Sequence, residues 1–407
     1  MLKKMKKCMA FLLILCMAVT ATACGGNTDN SAAVNENTAS STDANKNTDT
    51  DTNTGSETDE NAASGEELPR FKILFAYQQY EDKLGGEFKS AIQYLCDAYN
   101  CEAVFYESGS GDTAVGNLES VLTAGDIDGL ISVGFDTARM EVASKYNVPV
   151  VLACGFPSVE AEVSGITSYD LFLGGVTDSD YRAGYRAMES LYEAGCRQVT
   201  YSGLSAGFAK SHDDRTKGVM DFLEANPDMI LLADSYTMGK ASEDIPTFNA
   251  SFPEIEGMAF TSMSDALYNA IESEDLADGS VKIAGVDISS KTGEFFERGI
   301  QVWGCGGQYG TAMVSWAILY NYLIDGTRII SDTTTPIERD YLEITTYEEF
   351  EDFVKYVGVS LPVYDAEEIK ELIHYFNPDI TYEGYLSHAE NYTLQDIIER
   401  HGDKIND

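Results

Sequence analysis

Short apolar runs and amphipathic segments take turns along the chain from Phe71 onward. FKILFAY reads as a buried strand, and EFKSAIQYLCDAYN follows with Phe88, Ile92, Leu95 and Tyr99 at helical spacing. CEAVFYE predicts the next strand. AVGNLESVLTAGDIDGLISVGF predicts a helix, a turn and a strand over Gly129 to Val133; ARMEVASKYN a helix; VPVVLACG a strand. Strand and helix alternating across short connections is the signature of a parallel α/β sheet covered by helices on both faces.

The alternation then restarts. YRAGYRAMESLYEAG, DDRTKGVMDFLEANP, DALYNAIES and TGEFFERGI predict helices between the strands RQVTYSGL, MILLADSYT, GMAFTSM and VKIAGVDIS, and VWGCGGQYGTAMVSWAILYNYLIDG closes the set as strand, turn and helix. Two successive sets predict two similar Rossmann-like lobes near the usual domain size. The first lobe is expected over 70–177, rejoined by 305–326, and the second over 178–304. One large doubly wound sheet is the other arrangement. From about Ile329 to Asp407, YEEFEDFVKYVG, DAEEIKELIHYF and LQDIIERHG predict a small helical extension, expected to pack on one lobe.

The N-terminus has a different texture. Lys3, Lys4, Lys6 and Lys7 precede an apolar core from Met9 to Val19, then small residues lead to Cys24. The core is short of the ~20 residues that span a bilayer, and the three parts together read as a secretory signal over 1–23. Ala21-Thr22-Ala23-Cys24 resembles a bacterial lipobox, although Leu is absent from its first place. The resemblance implies a diacylglycerol on the Cys24 thiol, which holds a protein to a membrane by roughly 0.8 kcal/mol per buried CH2. An ordinary secreted protein cut near Ala23 and an uncleaved anchor are the alternatives. Gly25 to Leu68 is Asn, Thr, Ser, Asp, Glu, Ala and Gly but for Val34, Leu68 and Lys46, its only base, and has no aromatic residue. Such a stretch buries too little to offset its ordering entropy and reads as a disordered tether.

Charge excludes one class of partner. The net charge is −40, and the stretch up to Ala23 carries four lysines and no acid, so the remainder holds 23 Lys+Arg against 67 Asp+Glu, or −44. Nucleic-acid binding needs phosphate neutralisation and is not expected. Cys96, Cys101, Cys154, Cys196 and Cys305 form no CxxC pair and make an odd set; they read as small buried hydrophobes, with a Cys96–Cys101 bridge conceivable in an oxidising space. The four histidines lack metal-site spacing, so neither a metal nor a cofactor is expected.

Six segments, in this order, resemble the type I periplasmic binding proteins of the sugar-binding, LacI-like superfamily: DIDGLISVGFD, YNVPVVLACG, DSDYRAGYRAMESLYEAG, DDRTKGVMDFL (Val219 where the pattern has Phe), KIAGVDIS and GQYGTAMVSWAILYNYLIDG. The likeness spans roughly 70 to 328. It implies two lobes joined by a hinge, with ligand bound between them.

In such sheets ligands sit beyond the carboxyl ends of the strands, so the candidate ligand residues are the polar and aromatic groups there. Tyr77, Gln78 and Tyr80 follow the first strand, as a stacking surface and an amide or as a plain surface loop. Asp136 follows the strand predicted over Gly129 to Val133, and either accepts ligand hydroxyls or caps the next helix. The resemblance implies ligand roles for Arg215, whose alternative is an ion pair with Asp213 or Asp214, and for Asp287. Gln308 lies in the turn before the last helix; Trp303, just upstream, reads as core. Three polar anchors of the sugar-binding pattern are replaced or shifted, at Met263-Ser264-Asp265, at Cys154-Gly155 and at Gly304.

The resemblance implies a lipid-anchored, extracytoplasmic, monomeric binding protein that captures a sugar or related solute by hinge closure and delivers it to an ABC permease. A sensor that reports its ligand to a membrane receptor or kinase, or a binder of a nucleoside or autoinducer-like molecule, is the alternative. An enzyme is not expected: there is no metal spacing, and no spacing supports a catalytic carboxylate pair among Asp136, Asp265 and Asp287.

Overall fold

The computed structural model describes residues 68–108, 112–157, 159–237, 240–358, 361–402 and 404–405. The signal segment, Cys24 and the tether up to residue 67 lie outside the described residues.

The first lobe is built from β1 (Phe71–Tyr77), α1 (Lys83–Ala98), β2 (Cys101–Glu107), α2 (Asp112–Ala124), β3 (Gly129–Val133), α3 (Thr137–Lys145), β4 (Val150–Ala153), α4 (Glu160–Thr167) and β5 (Phe172–Asp178). The second is built from α5 (Asp180–Glu193), β6 (Gln198–Gly203), α6 (Lys210–Ala225), β7 (Ile230–Tyr236), α7 (Ala241–Ser251), β8 (Gly257–Phe260), α8 (Asp265–Ser273), β9 (Lys282–Val286), α9 (Thr292–Glu297) and β10 (Gln301–Gly306). Helix α10 (Tyr309–Asp325) then returns to the first sheet, where it packs on β3, β4 and β5. The last segment holds β11 (Ile337–Arg339), β12 (Leu342–Ile344), α11 (Tyr347–Tyr356), α12 (Ala366–Lys370), α13 (Tyr382–Glu390) and α14 (Leu394–His401).

The two sheets have the same plan. One runs β11-β5-β4-β3-β1-β2 and the other β12-β10-β9-β8-β6-β7, all parallel except β12, which lies antiparallel to β10. Their central strands are continuous apolar runs because helices cover both faces: Ile73 to Ala76, Leu130 and Ile131, and Val150 to Ala153 are buried. Helix α10 is buried from Tyr309 to Asn321 and ends at Gly326, whose left-handed φ of 79° permits the cap bond from its N–H to the Tyr322 carbonyl.

The extension differs from the helices expected of it. It contributes an edge strand to each sheet, and its helices pack on both lobes rather than one. Three earlier elements, α4, β5 and α7, also lie where the pattern predicts none. Strand β5 contains Gly174 at φ 97°, where a Cβ would meet Ile330 at 2.7 Å, so the strand tolerates no side chain at that point. Helix α7 carries Pro246 internally. Cys96 and Cys101 are both free thiols, so the conceivable bridge is not made.

Candidate functional site

Three chain segments cross between the lobes: Asp178–Asp180 from β5 to α5, Gly307–Gln308 from β10 to α10, and Asp340–Tyr341 from β11 to β12. They bring the carboxyl ends of both sets of parallel strands to face each other across a cleft of about 1100 Å³. In each sheet the first strand in the chain, β1 or β6, has neighbours reached by connections in opposite directions, which is the switch point where ligands of such sheets bind.

Tyr77, Gln78, Asp136, Arg215, Asp287 and Gln308 all line this cleft. Tyr80 does not. Its hydroxyl donates to the Phe75 carbonyl at 2.7 Å and its ring lies edge-on to Phe105 at 5.5 Å, so it packs behind the strand and supports Tyr77. Tyr77 in turn stands edge-on to Phe88, and burial pushes its phenol above the ordinary range.

Asp287 follows β9 with φ at 79°, a left-handed value uncommon outside glycine. Two donors fix its carboxylate: Ser262 Oγ at 2.6 Å and Gln308 Nε2 at 2.7 Å. Strain of this kind persists where the surroundings over-determine it. Asp136 makes the cap bond, accepting from the Arg139 N–H at 2.8 Å, and its side chain stays about half exposed, at 46%, so one oxygen still faces the cleft.

Arg215 is spent on the protein. Its Nε donates to Asp180 at 2.7 Å, Nη1 to the Thr261 carbonyl at 2.8 Å and Nη2 to the Tyr341 hydroxyl at 2.7 Å. Tyr341 also donates to Asp180 at 2.7 Å. The arginine is 7% exposed and ties the first crossover to the third; neither Asp213 nor Asp214 is its partner. Trp303 is wholly buried, with its indole N–H on Glu343.

The cleft holds groups that periodicity did not single out. His212 sits one helical turn before Arg215, with Nδ1 at 2.8 Å from the Thr261 hydroxyl; burial and the Arg215 charge hold its pKa at about 3, so the ring is neutral. Asp178, in the first crossover, accepts from Thr311 Oγ1 at 2.6 Å. Its burial, with the Asp180 charge next, pushes its pKa up to about 7. Cys154 holds a φ of 53°, and burial keeps its thiol protonated. Phe208 from the second lobe and Val159 from the first are exposed apolar side chains in the lining.

Seven carboxylates but only four lysines or arginines line the cleft. Each cation is paired with an acid: Lys83 with Glu87, Arg139 with Asp136, Lys210 with Asp214 and Arg215 with Asp180. Far from the cleft, Asp365, Glu368 and His401 are the one group among the described residues that gathers metal-ligand atom types, and Lys404 and Arg400 already engage its carboxylates. It is an ion-pair node.

No protein-family model matches the chain, and no curated protein does. Solved structures do. A periplasmic sugar-binding protein from Pseudomonas fluorescens superposes with a TM-score of 0.65 at 12% identity, covering 80% of this chain and 99% of its own. An ABC transporter periplasmic solute-binding protein from Actinobacillus succinogenes 130z with bound D-allose gives 0.57 at 15%, covering 74% and 99%. One from Bacillus halodurans C-125 with bound myo-inositol gives 0.57 at 15%, covering 71% and 99%. The chain has the type I periplasmic binding-protein fold.

Proposed function

We propose that this chain is an extracytoplasmic solute-binding protein that captures a neutral, polyhydroxylated small molecule, a sugar or cyclitol, and hands it to an ABC importer. The observation that carries the reading is the interlobe cleft, whose hydroxyls and carboxylates outnumber its cations and whose cations are all engaged. Carboxylates and side-chain amides held by the protein are partners for sugar hydroxyls, since unpaired buried polar groups are costly. The ring faces of Tyr77 and Phe208 suit the apolar faces of such ligands, as mixed pocket linings generally do. The structural neighbours that hold D-allose and myo-inositol support the same ligand class.

On this reading Asp287, Gln308, Asp136, Gln78 and Tyr77 contact ligand, and Arg215 positions the crossovers. The ligand drives closure by binding the closed arrangement better than the open one, and the cleft binds without turnover. Residues 1–23 are a signal removed at Cys24, the acylated cysteine anchors the chain to the cell membrane, and the stretch up to residue 68 lets a monomeric head reach its permease. Residues 70–177 with 305–326 form one ligand-binding lobe, 178–304 the other, and 329–407 an appended segment.

A thermal-shift screen of residues 69–407 against sugars, cyclitols, nucleosides and amino acids tests the reading. A ligand at a hundredfold excess over its Kd stabilises the folded state by about 2.7 kcal/mol. A sugar or cyclitol shift that disappears in Asp287→Ala supports the proposal. A nucleoside or amino-acid shift, or no shift from a folded sample, overturns the assigned ligand class.

A further inference from the structure

The segment after α10 is seated on both lobes and on the crossovers between them. On the second lobe, Phe350 of α11 fills the space above Gly293, where a Cβ would meet its ring at 2.3 Å, and its ring lies 6.4 Å from that of Phe296. On the first lobe, the Ala366 N–H donates to the Tyr94 hydroxyl at 3.0 Å, and the Leu372 carbonyl accepts from Asn321 Nδ2 at 2.9 Å. Helices α11 and α14 pack on each other, which makes the two seats one body.

Its contacts with the hinge are more specific. The Tyr392 hydroxyl donates to the Gly307 carbonyl in the second crossover at 2.7 Å. The ring of the same residue lies 3.8 Å from the guanidinium of Arg339, which opens the third crossover. Arg339 Nη2 donates to the Tyr364 hydroxyl at 2.8 Å, and Nη1 reaches Thr311 Oγ1 at 3.4 Å. Arg339 is 1% exposed, and among the described residues no carboxylate lies within ion-pair distance of it and its Nε has no hydrogen-bond partner. A buried guanidinium with no acid in direct contact is costly, and the acid that acts on this one, Asp178, reaches it only through Thr311. Two tyrosines of the appended segment supply much of what it has, through a face and a hydroxyl. The charge therefore gains this environment only while the segment is docked.

We propose that residues 345–358 and 361–402 are a brace on the hinge. Tyr392 staples the second crossover to the third, and the docked helices restrain how far the lobes rotate apart. The brace acts whichever solute the cleft takes, because it rests on packing at the crossovers and not on the ligand reading. The segment thereby sets the resting opening of the cleft and the free energy that ligand must supply to close it.

The test uses the unliganded protein and two variants, followed by amide hydrogen exchange and small-angle X-ray scattering. Tyr392→Phe keeps the ring on Arg339 and removes the bond to Gly307. Phe350→Leu loosens the seat on the second lobe. The brace predicts faster exchange at 307–309 and 340–342 in each variant, by roughly fivefold in Tyr392→Phe, the factor that one lost hydrogen bond is worth. It also predicts a larger radius of gyration, with β1, β3, β6 and β8 protected as in the parent. Faster exchange confined to α11 or to the residue 392 region, with crossovers and scattering unchanged, would overturn it. If Phe350→Leu loosens the whole fold, Tyr392→Phe decides alone by the same two readouts.

Discussion

Gln308 Nε2 donates to Asp287 Oδ1 at 2.7 Å, and this bond joins the second crossover to the end of β9. Ser262 holds the other carboxylate oxygen from the end of β8. Three elements thus converge on one carboxylate at the middle of the cleft, on a backbone held at φ 79°. On the proposed reading, a carboxylate in the cleft that touches a crossover couples ligand to the hinge.

Asp287→Asn keeps the shape and loses the charge. Hydrogen bonds to a charged group contribute about 1.5–3 kcal/mol, so solute affinity should fall by roughly 10- to 100-fold. Asp287→Gly should abolish binding yet leave the fold at least as stable, since glycine takes a positive φ without strain. Calorimetric titration with the solute found by the screen, alongside urea unfolding, separates the two. Affinity within threefold of the parent in Asp287→Asn would remove this residue from the ligand set.

Arg215 predicts the opposite division of effects. Its donors are committed to Asp180, Thr261 and Tyr341, so Arg215→Met strands a buried carboxylate at the first crossover. Breaking a buried pair from one side costs about 3–5 kcal/mol. The urea midpoint should fall accordingly, with a smaller loss in Arg215→Lys, which keeps the charge. An unfolding curve unchanged in Arg215→Met, with solute affinity lost, would return the arginine to a direct ligand role.

The contrast between these residues marks what the sequence made legible. Strand ends were readable, because continuous apolar runs such as FKILFAY mark buried parallel strands; the cleft-lining Tyr77 and Asp136 follow from that pattern, and Asp287 from the resemblance of KIAGVDIS. The partner of Arg215 was not readable, since Asp180 lies 35 positions away and only the packing of α5 on α6 brings them together. Tyr80 is three positions from Tyr77, and no periodicity says that its hydroxyl would find the Phe75 carbonyl. Strands β11 and β12 are three residues each, too short for alternation to register, and their positions are fixed by the edges of two existing sheets. His212 and Asp178 became candidates only through burial, which a local pattern does not encode.

The hinge carboxyl gives a signed pH dependence. Asp178 is pushed up to about 7 in the fold, against an ordinary value of ~3.9. From about pH 4 to 7 the folded state holds this proton more tightly than the unfolded state, so the group's contribution to stability falls as pH rises. His212 and His388, each held at about 3 by burial and by neighbouring arginine charge, act in the other direction. Their contribution is complete above ~6.5 and is lost as pH falls. Asp178→Asn removes only the first effect and still accepts from Thr311. Its stability relative to the parent should rise between about pH 4 and pH 7, the window of the shift, and level off above it. A variant-minus-parent difference in urea midpoint that stays flat with pH would mean that Asp178 ionises as an ordinary carboxylate.

Charge in the cleft predicts discrimination among otherwise similar solutes. Seven carboxylates face four cations, every one of which is already paired, and the chain as a whole carries −40. An anionic ligand would meet like charge without a free counter-ion, and juxtaposed like charges cost several kcal/mol. A neutral sugar or cyclitol should therefore bind at least about 100-fold more tightly than its uronate or phosphate at low salt. Discrimination should narrow as ionic strength rises, because the contribution of exposed acids is screened over a Debye length of ~10 Å at 0.1 M. Competition calorimetry with a matched neutral and phosphorylated pair, at two salt concentrations, measures both effects. An anion that binds equally well would require Lys83 or Lys210 to leave its ion pair for the ligand. Lys210→Met would then abolish the binding, and the neutral-solute assignment would fail with it.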